Sequence, residues 1–361
     1  MVKRERLKWG VLGAGGIARR RTIPEGFITA DNARLVAVCG SSAELTTEIA
    51  REFDVRGIAD LDEFLRSDID AVYIATPAHL HAAQTIQAAS AGKHILCEKP
   101  LGLSVSEATA MVNACEASRV RLGTALMMRF HGAHRTALQM LRDGCLGEPV
   151  FARAQLSCWY PPIPGAWRQD PRLAGGGSLM DMGGHCLDLL ELFLGPVVEA
   201  SCFTANRIQS YPSEDSAVAT LRFENGALGV VDAFFCIPDA SSRNVLEIYG
   251  SLGSLLATGT IGQAADGSLT HFAGDPAGYS ARQERGPSGG VTLEFPAVNT
   301  YRAEIEEFSA AVLEGRMPEN SHEIGLRSQL LMEACYSAAT TKRTVRILAG
   351  IQSATLSEES K

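Results

Sequence analysis

Short apolar runs alternate with helical segments over the first part of the chain. The runs at 7–12, 34–39, 71–75 and 94–97 have the length of buried strands. Segments with helical character separate them at 18–22, 43–53, 61–67 and 82–91. Strands that alternate with helices in this way predict an α/β fold built on a doubly wound parallel sheet.

The pattern changes in the second half, where one strand-like run follows another without long helices between them. These runs lie at 149–157, 197–207, 217–223, 227–236 and 244–249, and one helix is predicted at 178–193. The pair Asn225-Gly226 predicts a hairpin with a type I′ turn. We therefore predict a second, α+β domain with a large, mostly antiparallel sheet, and place the domains at 1–125 and 126–361.

The remaining segments predict how this second domain is completed. The Gly-, Ser- and Asp-rich stretch 262–290 is predicted to be a mobile excursion near the sheet edge, 301–314 and 322–340 to be closing helices, and 353–361 to be a disordered tail. A broad sheet with helices on one face leaves its other face to be covered. A partner subunit commonly covers such a face, so we predict a homodimer or homotetramer through the C-terminal sheet.

Composition and charge narrow the function classes. Of the 361 residues, 46% are hydrophobic and 20% charged, which is typical of a folded globular chain with two domains. The net charge of -8 argues against nucleic acid and anionic membranes as partners, and no apolar stretch reaches the ~20 residues of a membrane span. The nine cysteines include no C-x-x-C pair, which argues against zinc knuckles and disulfide frameworks and favours a cytoplasmic protein.

The turn after the first predicted strand carries the first candidate chemistry. Its pattern is G-x-G-x-x-A, with Gly13 for the tight turn, Gly15 for close approach of a pyrophosphate and Ala18 for helix packing. Gly16 and Ile17 lead into the helix, whose N-terminal N–H groups and dipole favour a phosphate. Many glycine turns bind nothing, but the strand–turn–helix context favours a dinucleotide here.

The end of the second predicted strand bears on the choice of dinucleotide. An acidic residue at this place binds the adenosine ribose, whereas its absence leaves room for a 2′-phosphate. This chain has Gly40 there, followed by the hydroxyls of Ser41 and Ser42, and no arginine lies in 40–47 to complete a phosphate pocket. We predict NADP or NAD with a modest preference for NADP, and an ordinary strand-to-helix turn is the alternative.

A crevice is predicted at the carboxyl ends of the next two strands. Thr76-Pro77 ends one strand, because proline cannot continue the ladder, and Glu98-Lys99 follows the other. His79 and His81 lie nearby, but two histidines without a neighbouring acid or thiol rarely form a metal site, so no metal is predicted.

Four motifs in this order resemble one protein family. They are the glycine turn, ATPAHLH at 75–81, AGKHILCEKP at 91–100 and GGGSLMDMGGHCLD at 175–188. Together they resemble the glucose-fructose oxidoreductase and inositol dehydrogenase (Gfo/Idh/MocA) family over nearly the whole chain, and 160–177 is most similar to its 1,5-anhydrofructose reductase-like sugar reductases. The resemblance implies a Rossmann domain joined to a domain with a large, mostly antiparallel sheet. It also implies oxidation or reduction of a carbinol or carbonyl on a sugar, cyclitol or related ring.

The resemblance also assigns catalytic residues. Lys99 matches the family's catalytic lysine, and Asp181 and His185 match its acid-and-histidine pair. Two departures from the family pattern bear on the cofactor: Ala78 stands where many members have Asn, and Leu45 stands where NADP-using relatives often have Arg. One nicotinamide-side contact and one usual NADP determinant are therefore missing.

Hydride transfer from a carbinol explains why these residue types are needed. A base must take the hydroxyl proton as the hydride leaves, and the ordinary pKa of histidine, ~6.5, suits His185 to this role. Asp181, four residues earlier on the same helix face, would hold the imidazole tautomer, and Lys99 would polarise the substrate oxygen. Such a pair is also common on solvated helices, but the glycine run 175–177 and a plausible N-cap at Ser178 predict a helix start that faces a ligand.

The remaining candidates surround this centre. Glu98 matches a family residue that accepts a ribose hydroxyl, with a surface acid as the alternative. Arg129, Trp167 and Arg168 are candidates for a polyol pocket, and structural packing is the equal alternative. The full set of cofactor candidates is Gly13, Gly15, Gly16, Ile17, Ser41, Ser42, Thr76, Pro77, His81 and Glu98.

Three functions are compared on this basis. The first is an NAD(P)-dependent oxidoreductase acting on CH–OH groups of a sugar-like ring compound. The alternatives are a glycoside-cleaving or epimerising enzyme that retains and recycles its NAD, and a non-catalytic nucleotide-binding regulator. The presence of Lys99, Asp181 and His185 together argues against the regulator, because a sensor has no need of all three.

Overall fold

The computed structural model describes residues 5–274 and 289–347 of the chain and contains two compact units. The first unit contains the chain up to Met127 together with Pro171–Gly175 and Asn299–Leu330. The second contains Met128–Asp170, Gly176–Val298 and the chain from Leu331 onward. The domain boundary predicted between 125 and 126 stays a prediction, and late segments of the chain join the first unit.

A six-stranded parallel sheet forms the centre of the first unit. Its strands are β1 Leu7–Leu12, β2 Ala33–Cys39, β3 Arg56–Gly57, β4 Ala71–Ile74, β5 His94–Glu98 and β6 Leu122–Ala125. Their order is β3-β2-β1-β4-β5-β6, which confirms the predicted doubly wound sheet. The helices of this unit are Ala18–Phe27, Ala43–Glu52, Leu61–Arg66, Ala78–Leu80, His81–Ser90, Val105–Ala117, Pro171–Ala174 and Thr300–Leu313.

Both faces of this sheet are covered, which is why its strands read as continuous apolar runs. One face packs against a cluster that includes Phe64, and the other against a cluster that includes Trp9 and Phe308. The indole Nε1 of Trp9 donates to Ser309 Oγ at 3.0 Å. This packing explains why the helix Thr300–Leu313, distant in sequence, belongs to the first unit.

A nine-stranded sheet forms the centre of the second unit. Its strands are β7 Pro149–Ser157, β8 Val197–Ala205, β9 Ser216–Phe223, β10 Leu228–Phe234, β11 Val245–Gly250, β12 Gly253–Thr258, β13 Ser268–Ala273, β14 Val291–Thr292 and β15 Val345–Arg346. The order is β14-β13-β12-β11-β7-β10-β9-β8-β15, and every pair is antiparallel except β7 and β10. The predicted large, mostly antiparallel sheet is confirmed.

Helices cover one face of this sheet. The helices of the second unit include Gly132–Arg142, Trp167–Gln169 and Asp239–Ser241, and Met127–Phe130 and His322–Thr341 contain residues of both units. Two helical segments, Leu179–Gly183 and Gly184–Leu194, contact the strands of the sheet. A Cβ at Gly229 of β10 would lie 3.4 Å from Leu190 Cδ1, so this helix packs directly on the strand. Along β9, Val218, Thr220 and Arg222 point to the opposite, exposed face.

Two local predictions are wrong. The β9–β10 hairpin exists, but only Gly226 has a positive φ, 88°, whereas a type I′ turn needs positive φ at Asn225 as well. The Gly226 N–H donates to the Phe223 carbonyl at 2.9 Å, as in a three-residue loop with a left-handed glycine. The stretch 262–290 contains β13, which pairs with β12 along its length. Residues 275–288 and the predicted tail 353–361 lie outside the described residues.

Candidate active site

The glycine turn lies between β1 and the helix that follows it. Gly13 has a φ of 81°, and a Cβ there would lie 2.6 Å from the backbone nitrogen of Thr76. A Cβ at Gly15 would meet only Leu45 Cδ2, at 3.6 Å, and a Cβ at Gly16 would meet nothing within 4 Å. The turn is therefore closed by the protein's own backbone at its first glycine and open at the two glycines that follow.

The helix Ala18–Phe27 begins at this open side. No side chain caps its start within the part of the chain that the structure describes. It has π geometry, and the Ile28 N–H donates to the Ile23 carbonyl at 3.0 Å. Helix N–H groups that have no side-chain acceptor, together with the helix dipole, favour an anion. The space and the donors at this turn thus fit the pyrophosphate of a dinucleotide.

The two predicted serines lie at the end of β2. Ser41 is exposed, and Ser42 Oγ caps the helix Ala43–Glu52 by accepting the Leu45 N–H at 3.2 Å. The pKa of Glu44 lies below its ordinary value because its own backbone N–H and the Ser42 hydroxyl stabilise the carboxylate. The Ser42 hydroxyl is thus engaged at the helix start, while that of Ser41 faces solvent.

His81 ties together two loops at the carboxyl edge of the sheet. Its ring is only 1% exposed, with Nδ1 lying 2.8 Å from the Pro100 carbonyl and Nε2 lying 2.9 Å from the Thr76 carbonyl. Burial lowers the pKa of His81. The Thr76 hydroxyl donates to Gln84 Oε1 at 2.6 Å, and Pro77 is half-buried. A cofactor contact by His81 stays a prediction, since both ring nitrogens lie against carbonyl oxygens.

Glu98, at the end of β5, is held by a buried tyrosine. The Tyr73 hydroxyl donates to Glu98 Oε1 at 2.5 Å and lies 3.1 Å from Thr22 Oγ1. Tyr73 is 1% exposed and Thr22 is fully buried. The chain Thr22–Tyr73–Glu98 links the helix after the glycine turn to the residue that precedes Lys99, which is half-buried.

A second carboxyl group lies beneath this edge. Glu304 is 2% exposed, and its Oε1 accepts from Asn320 Nδ2 at 3.2 Å. Burial, and then the charge of Glu98, raise the pKa of Glu304 well above its ordinary value. Burial and the neighbouring charge therefore both disfavour the ionised form of Glu304. Sequence reasoning missed Glu304 and Tyr73, although a tyrosine within an apolar strand signals a buried hydrogen-bond partner.

Asp181 and His185 lie on a helix that changes its geometry between them. The predicted helix 178–193 consists of a π segment, Leu179–Gly183, and an α segment, Gly184–Leu194. The Gly184 N–H donates to the Leu179 carbonyl, five residues back. Asp181 is half-buried and His185 is 9% exposed. Such π segments are frequent at functional sites, and this one carries Asp181 directly before the α segment that carries His185.

Two further predicted residues gather around Asp181. Arg168 Nε donates to Asp181 Oδ1 at 3.3 Å, and the Arg168 guanidinium carbon lies 4.3 Å from the centroid of the Trp167 ring. Burial raises the pKa of Tyr160, with a lowering contribution from the Arg168 charge and a raising one from Asp181. The second unit thus brings Trp167, Arg168 and Asp181 together, with Tyr160 as an addition that the sequence had not singled out as a site residue.

Arg129 makes a bidentate ion pair within the second unit. Its Nη2 lies 2.6 Å from Asp188 Oδ1 and its Nε lies 2.8 Å from Oδ2. The two side chains are 12% and 4% exposed. This geometry engages the guanidinium fork of Arg129 with the protein's own carboxylate. A substrate contact by Arg129 stays a prediction.

The glycine run before the Asp181 helix serves a different purpose from the one predicted. A Cβ at Gly176 would lie 1.9 Å from the Tyr336 hydroxyl, and one at Gly177 would lie 2.1 Å from the Glu214 carbonyl oxygen. Ser178 has helical backbone angles and makes no side-chain cap. The Glu214 carboxylate instead accepts the N–H groups of Gly177 and Leu179, at 2.7 and 3.0 Å. The predictions of a Ser178 cap and of a ligand-facing helix start are therefore wrong, because the protein supplies its own anion.

The described residues, 5–274 and 289–347, contain neither a metal-binding cluster nor a membrane-spanning helix. No group of three or more His, Cys, Asp or Glu side chains there is arranged to hold a metal ion. No helix in the same residues is both long and apolar enough to cross a membrane.

Comparison with known families identifies the chain. Residues 7–126 match the model described as an oxidoreductase family with an NAD-binding Rossmann fold. Residues 134–256 match the GFO/IDH/MocA C-terminal domain, and the two matches together span more than half of the chain. The chain belongs to the Gfo/Idh/MocA family. The resemblance seen in its motifs is confirmed over both of its parts.

Relatives of known activity agree with this family. The 1,5-anhydro-D-fructose reductase of Ensifer adhaerens is 29% identical, and the alignment covers 95% of this chain and 99% of that protein. D-xylose 1-dehydrogenase (NADP(+)) 2 of Haloferax volcanii is also 29% identical, over 94% of this chain and 100% of that protein. A levoglucosan dehydrogenase in complex with NADH and levoglucosan has a similar structure, with a TM-score of 0.82, 25% identity and coverage of 95% and 99%.

These comparisons settle the general class of the protein. The prediction of an NAD(P)-dependent oxidoreductase acting on CH–OH groups is confirmed. The predicted combination of a Rossmann domain with a large, mostly antiparallel sheet is confirmed as well.

Proposed function

We propose that the chain transfers a hydride between nicotinamide and a carbinol or carbonyl carbon of a sugar, cyclitol or related ring compound. His185 accepts the hydroxyl proton in oxidation and returns it in reduction. Asp181 orients the imidazole, and Lys99 polarises the substrate oxygen. The named activities of the relatives, which act on 1,5-anhydro-D-fructose and D-xylose, support a ring sugar as the substrate class.

The glycine turn and Glu98 are the residues that would hold the cofactor in this proposal. Nicotinamide, when bound, supplies or takes the hydride. The open side at Gly15 and Gly16 and the uncapped helix start would hold the pyrophosphate. Glu98, whose Oε1 accepts the Tyr73 hydroxyl at 2.5 Å, would meet a ribose hydroxyl of the cofactor.

The substrate side of the proposal rests on the second unit. Arg168 presents N–H donors beside Asp181, and the Trp167 ring lies under the Arg168 guanidinium at 4.3 Å. An aromatic face suits the C–H groups of a sugar ring, and guanidinium N–H groups suit its hydroxyls. The observation that carries the proposal is the π segment that joins a half-buried Asp181 to a nearly buried His185 in a chain of this family.

A substrate screen with matched variants tests this function. Sugars, cyclitols and keto-sugars are offered with NAD and with NADP, and absorbance at 340 nm is followed. His185→Ala should lower kcat by ~10²- to 10⁴-fold while the cofactor dissociation constant stays near its starting value. His271→Ala, on β13 of the same unit, serves as the matched control and should keep full activity. Retention of most activity by His185→Ala would remove His185 from its assigned role.

We propose further that NADP is preferred over NAD. Gly40 leaves no carboxylate side chain at the end of β2 to repel a 2′-phosphate, and the Ser41 hydroxyl there is exposed. Leu45 lies beside the glycine turn, since a Cβ on Gly15 would be 3.6 Å from Leu45 Cδ2. Leu45→Arg should lower KM for NADP by roughly 10-fold and leave KM for NAD nearly unchanged, since the new charge pairs only with the phosphate. A wild-type kcat/KM higher for NAD would contradict the preference.

We also propose a homodimer or homotetramer through the open face of the second sheet. This face carries a groove of about 330 Å³ whose lining includes Phe151, Leu228 and Val230. Leu228 is 47% exposed, and Val218 and Phe203 on the same face are 37% and 79% exposed, so exposed apolar side chains cluster on a face that a partner can cover. Leu228→Lys should reduce the mass measured by light scattering, whereas Leu252→Lys, at a 42% exposed leucine in the β11–β12 turn, should not. A monomeric wild-type protein would overturn the proposal.

A further inference from the structure

The Tyr336 hydroxyl joins the start of the Asp181 helix to the half-buried carboxylate of Glu214. It donates to Glu214 Oε1 at 2.8 Å and accepts the Met180 N–H at 3.1 Å. A tyrosine oxygen that both donates and accepts has a defined direction for each bond. Met180 immediately precedes Asp181, so the hydroxyl contacts the backbone one residue before the predicted orienting acid.

Glu214 holds the same segment from its other side. Its two carboxylate oxygens accept the N–H groups of Gly177 and Leu179, at 2.7 and 3.0 Å, and its backbone carbonyl accepts the Ser178 N–H at 2.9 Å. With the Tyr336 bond, the N–H groups of 177–180 all have acceptors supplied by these two side chains or by the Glu214 backbone. A helix start held in this way cannot rotate about its axis without breaking several bonds.

The glycines of the run make this contact possible. Neither Gly176 nor Gly177 has room for a Cβ, since Tyr336 and Glu214 occupy that space at 1.9 and 2.1 Å. The space at Gly176 is filled by the Tyr336 side chain, and the space at Gly177 by the backbone of Glu214. Tyr336 comes from the helix His322–Thr341, far from both partners in sequence.

We propose that Tyr336 and Glu214 are positioning residues that set the orientation of Asp181 and His185. The inference rests on the proposed function of those two residues. The pair, called here the Tyr336–Glu214 clamp, holds the first turn of the π segment that carries Asp181, and the α segment that carries His185 follows directly. Because a misplacement of ~1 Å can cost ~10²-fold in rate, holding this turn matters for turnover beyond its effect on folding.

Tyr336→Phe tests the clamp with the smallest possible change. It keeps the ring that fills the space at Gly176 and removes both hydrogen bonds of the hydroxyl. We expect kcat per cofactor-binding site to fall by ~10- to 100-fold and the pH limb of kcat/KM that reports His185 to move. The number of binding sites is counted by fluorescence titration with the reduced cofactor, so a partly unfolded sample does not imitate the effect. Tyr249→Phe, at a half-exposed tyrosine on β11, is the matched control and should change neither quantity.

Glu214→Gln gives a second, independent reading. The amide keeps one oxygen for an N–H donor and replaces the other by an NH₂ group, which cannot accept. We expect Glu214→Gln to lower kcat per cofactor-binding site and to move the pH limb of kcat/KM by the same amounts as Tyr336→Phe. The reason is that loss of either Tyr336 or Glu214 leaves N–H groups of the helix start without their acceptors. If both variants keep kcat per site and the pH limb within about twofold of wild type, the clamp has only a structural role and the proposal is overturned. If His185→Ala also stays active, the proposed function itself has failed, which the clamp variants alone would not show.

Discussion

The chain has two glycine-rich turns before helices, and their glycines are required for opposite reasons. At 13–16 the space beside Gly15 and Gly16 is open, and no side chain caps the helix start within the described residues. At 175–177 the corresponding space is filled by Tyr336 and Glu214, and a carboxylate of the protein accepts the helix N–H groups. The first turn leaves room for an external anion, while the second is satisfied internally.

The comparison shows how one sequence signal serves two purposes. A missing Cβ always means close approach, but the sequence does not say what approaches. In the first unit the backbone of the turn would supply the donors for the dinucleotide phosphates that we propose it binds. In the second unit the turn precedes the helical segments that carry Asp181 and His185, whose side chains would supply the chemistry in the proposed function.

The largest effect is expected at the filled turn. In Gly177→Ala the new methyl group would lie 2.1 Å from the Glu214 carbonyl oxygen, a backbone atom that cannot turn away. Overpacking of this kind costs about 3 kcal/mol of unfolding free energy. Urea denaturation followed by circular dichroism measures the loss. Most surface substitutions change the unfolding free energy by no more than about 0.5 kcal/mol. If Gly177→Ala stays within that range of wild type, the second turn is not filled as described.

At the open turn, a substitution should weaken cofactor binding and leave the unfolding free energy unchanged. In Gly15→Ala the methyl group meets only Leu45 Cδ2 at 3.6 Å, an ordinary contact, so the unfolding free energy should stay nearly unchanged. The same methyl group fills the space that a pyrophosphate needs, and the cofactor dissociation constant should rise by about 30-fold, or about 2 kcal/mol. Calorimetric titration with NADP and NAD measures it. Wild-type affinity in Gly15→Ala would mean that the phosphate lies elsewhere.

These two glycines also show what the sequence could and could not predict. Local pattern predicted four of the six described strands of the first sheet and five of the nine of the second, because buried strands such as β4 and alternating strands such as β9 carry their own periodicity. The clamp could not be predicted, because Glu214 and Tyr336 lie 122 residues apart and neither has a neighbouring motif. β13 was not predicted, because the stretch around it is rich in glycine and polar residues and hides the strand pattern. Its pairing with β12 is visible only in the folded sheet.

Gly16 offers a smaller, intermediate effect. Its φ of 54° is left-handed, but a Cβ there would meet nothing within 4 Å. Gly16→Ala should therefore lower the unfolding free energy by about 1 kcal/mol through backbone strain alone. Thermal unfolding with and without cofactor separates this strain from any loss of binding. A cost as large as that of Gly177→Ala would mean that the first turn is as crowded as the second.

The smallest expected effect is a pH dependence confined to the filled turn. Burial raises the pKa of Glu214, although the Tyr336 hydroxyl and the N–H groups of Leu179 and Gly177 oppose the rise. A carboxyl group whose folded-state pKa is raised contributes stability that is fully present below the unfolded value of about 4.3 and is lost as pH rises through the folded value. The unfolding free energy of wild type relative to Glu214→Gln should therefore fall by less than about 1 kcal/mol as pH rises from 4 toward neutrality. Denaturant melts of both proteins across this range measure the difference, and a difference that grew with pH would mean that the N–H donors outweigh burial.

The open turn should show no such pH dependence. No carboxylate caps its helix start within the described residues, so without cofactor the unfolding free energies of Gly15→Ala and wild type should change in parallel with pH.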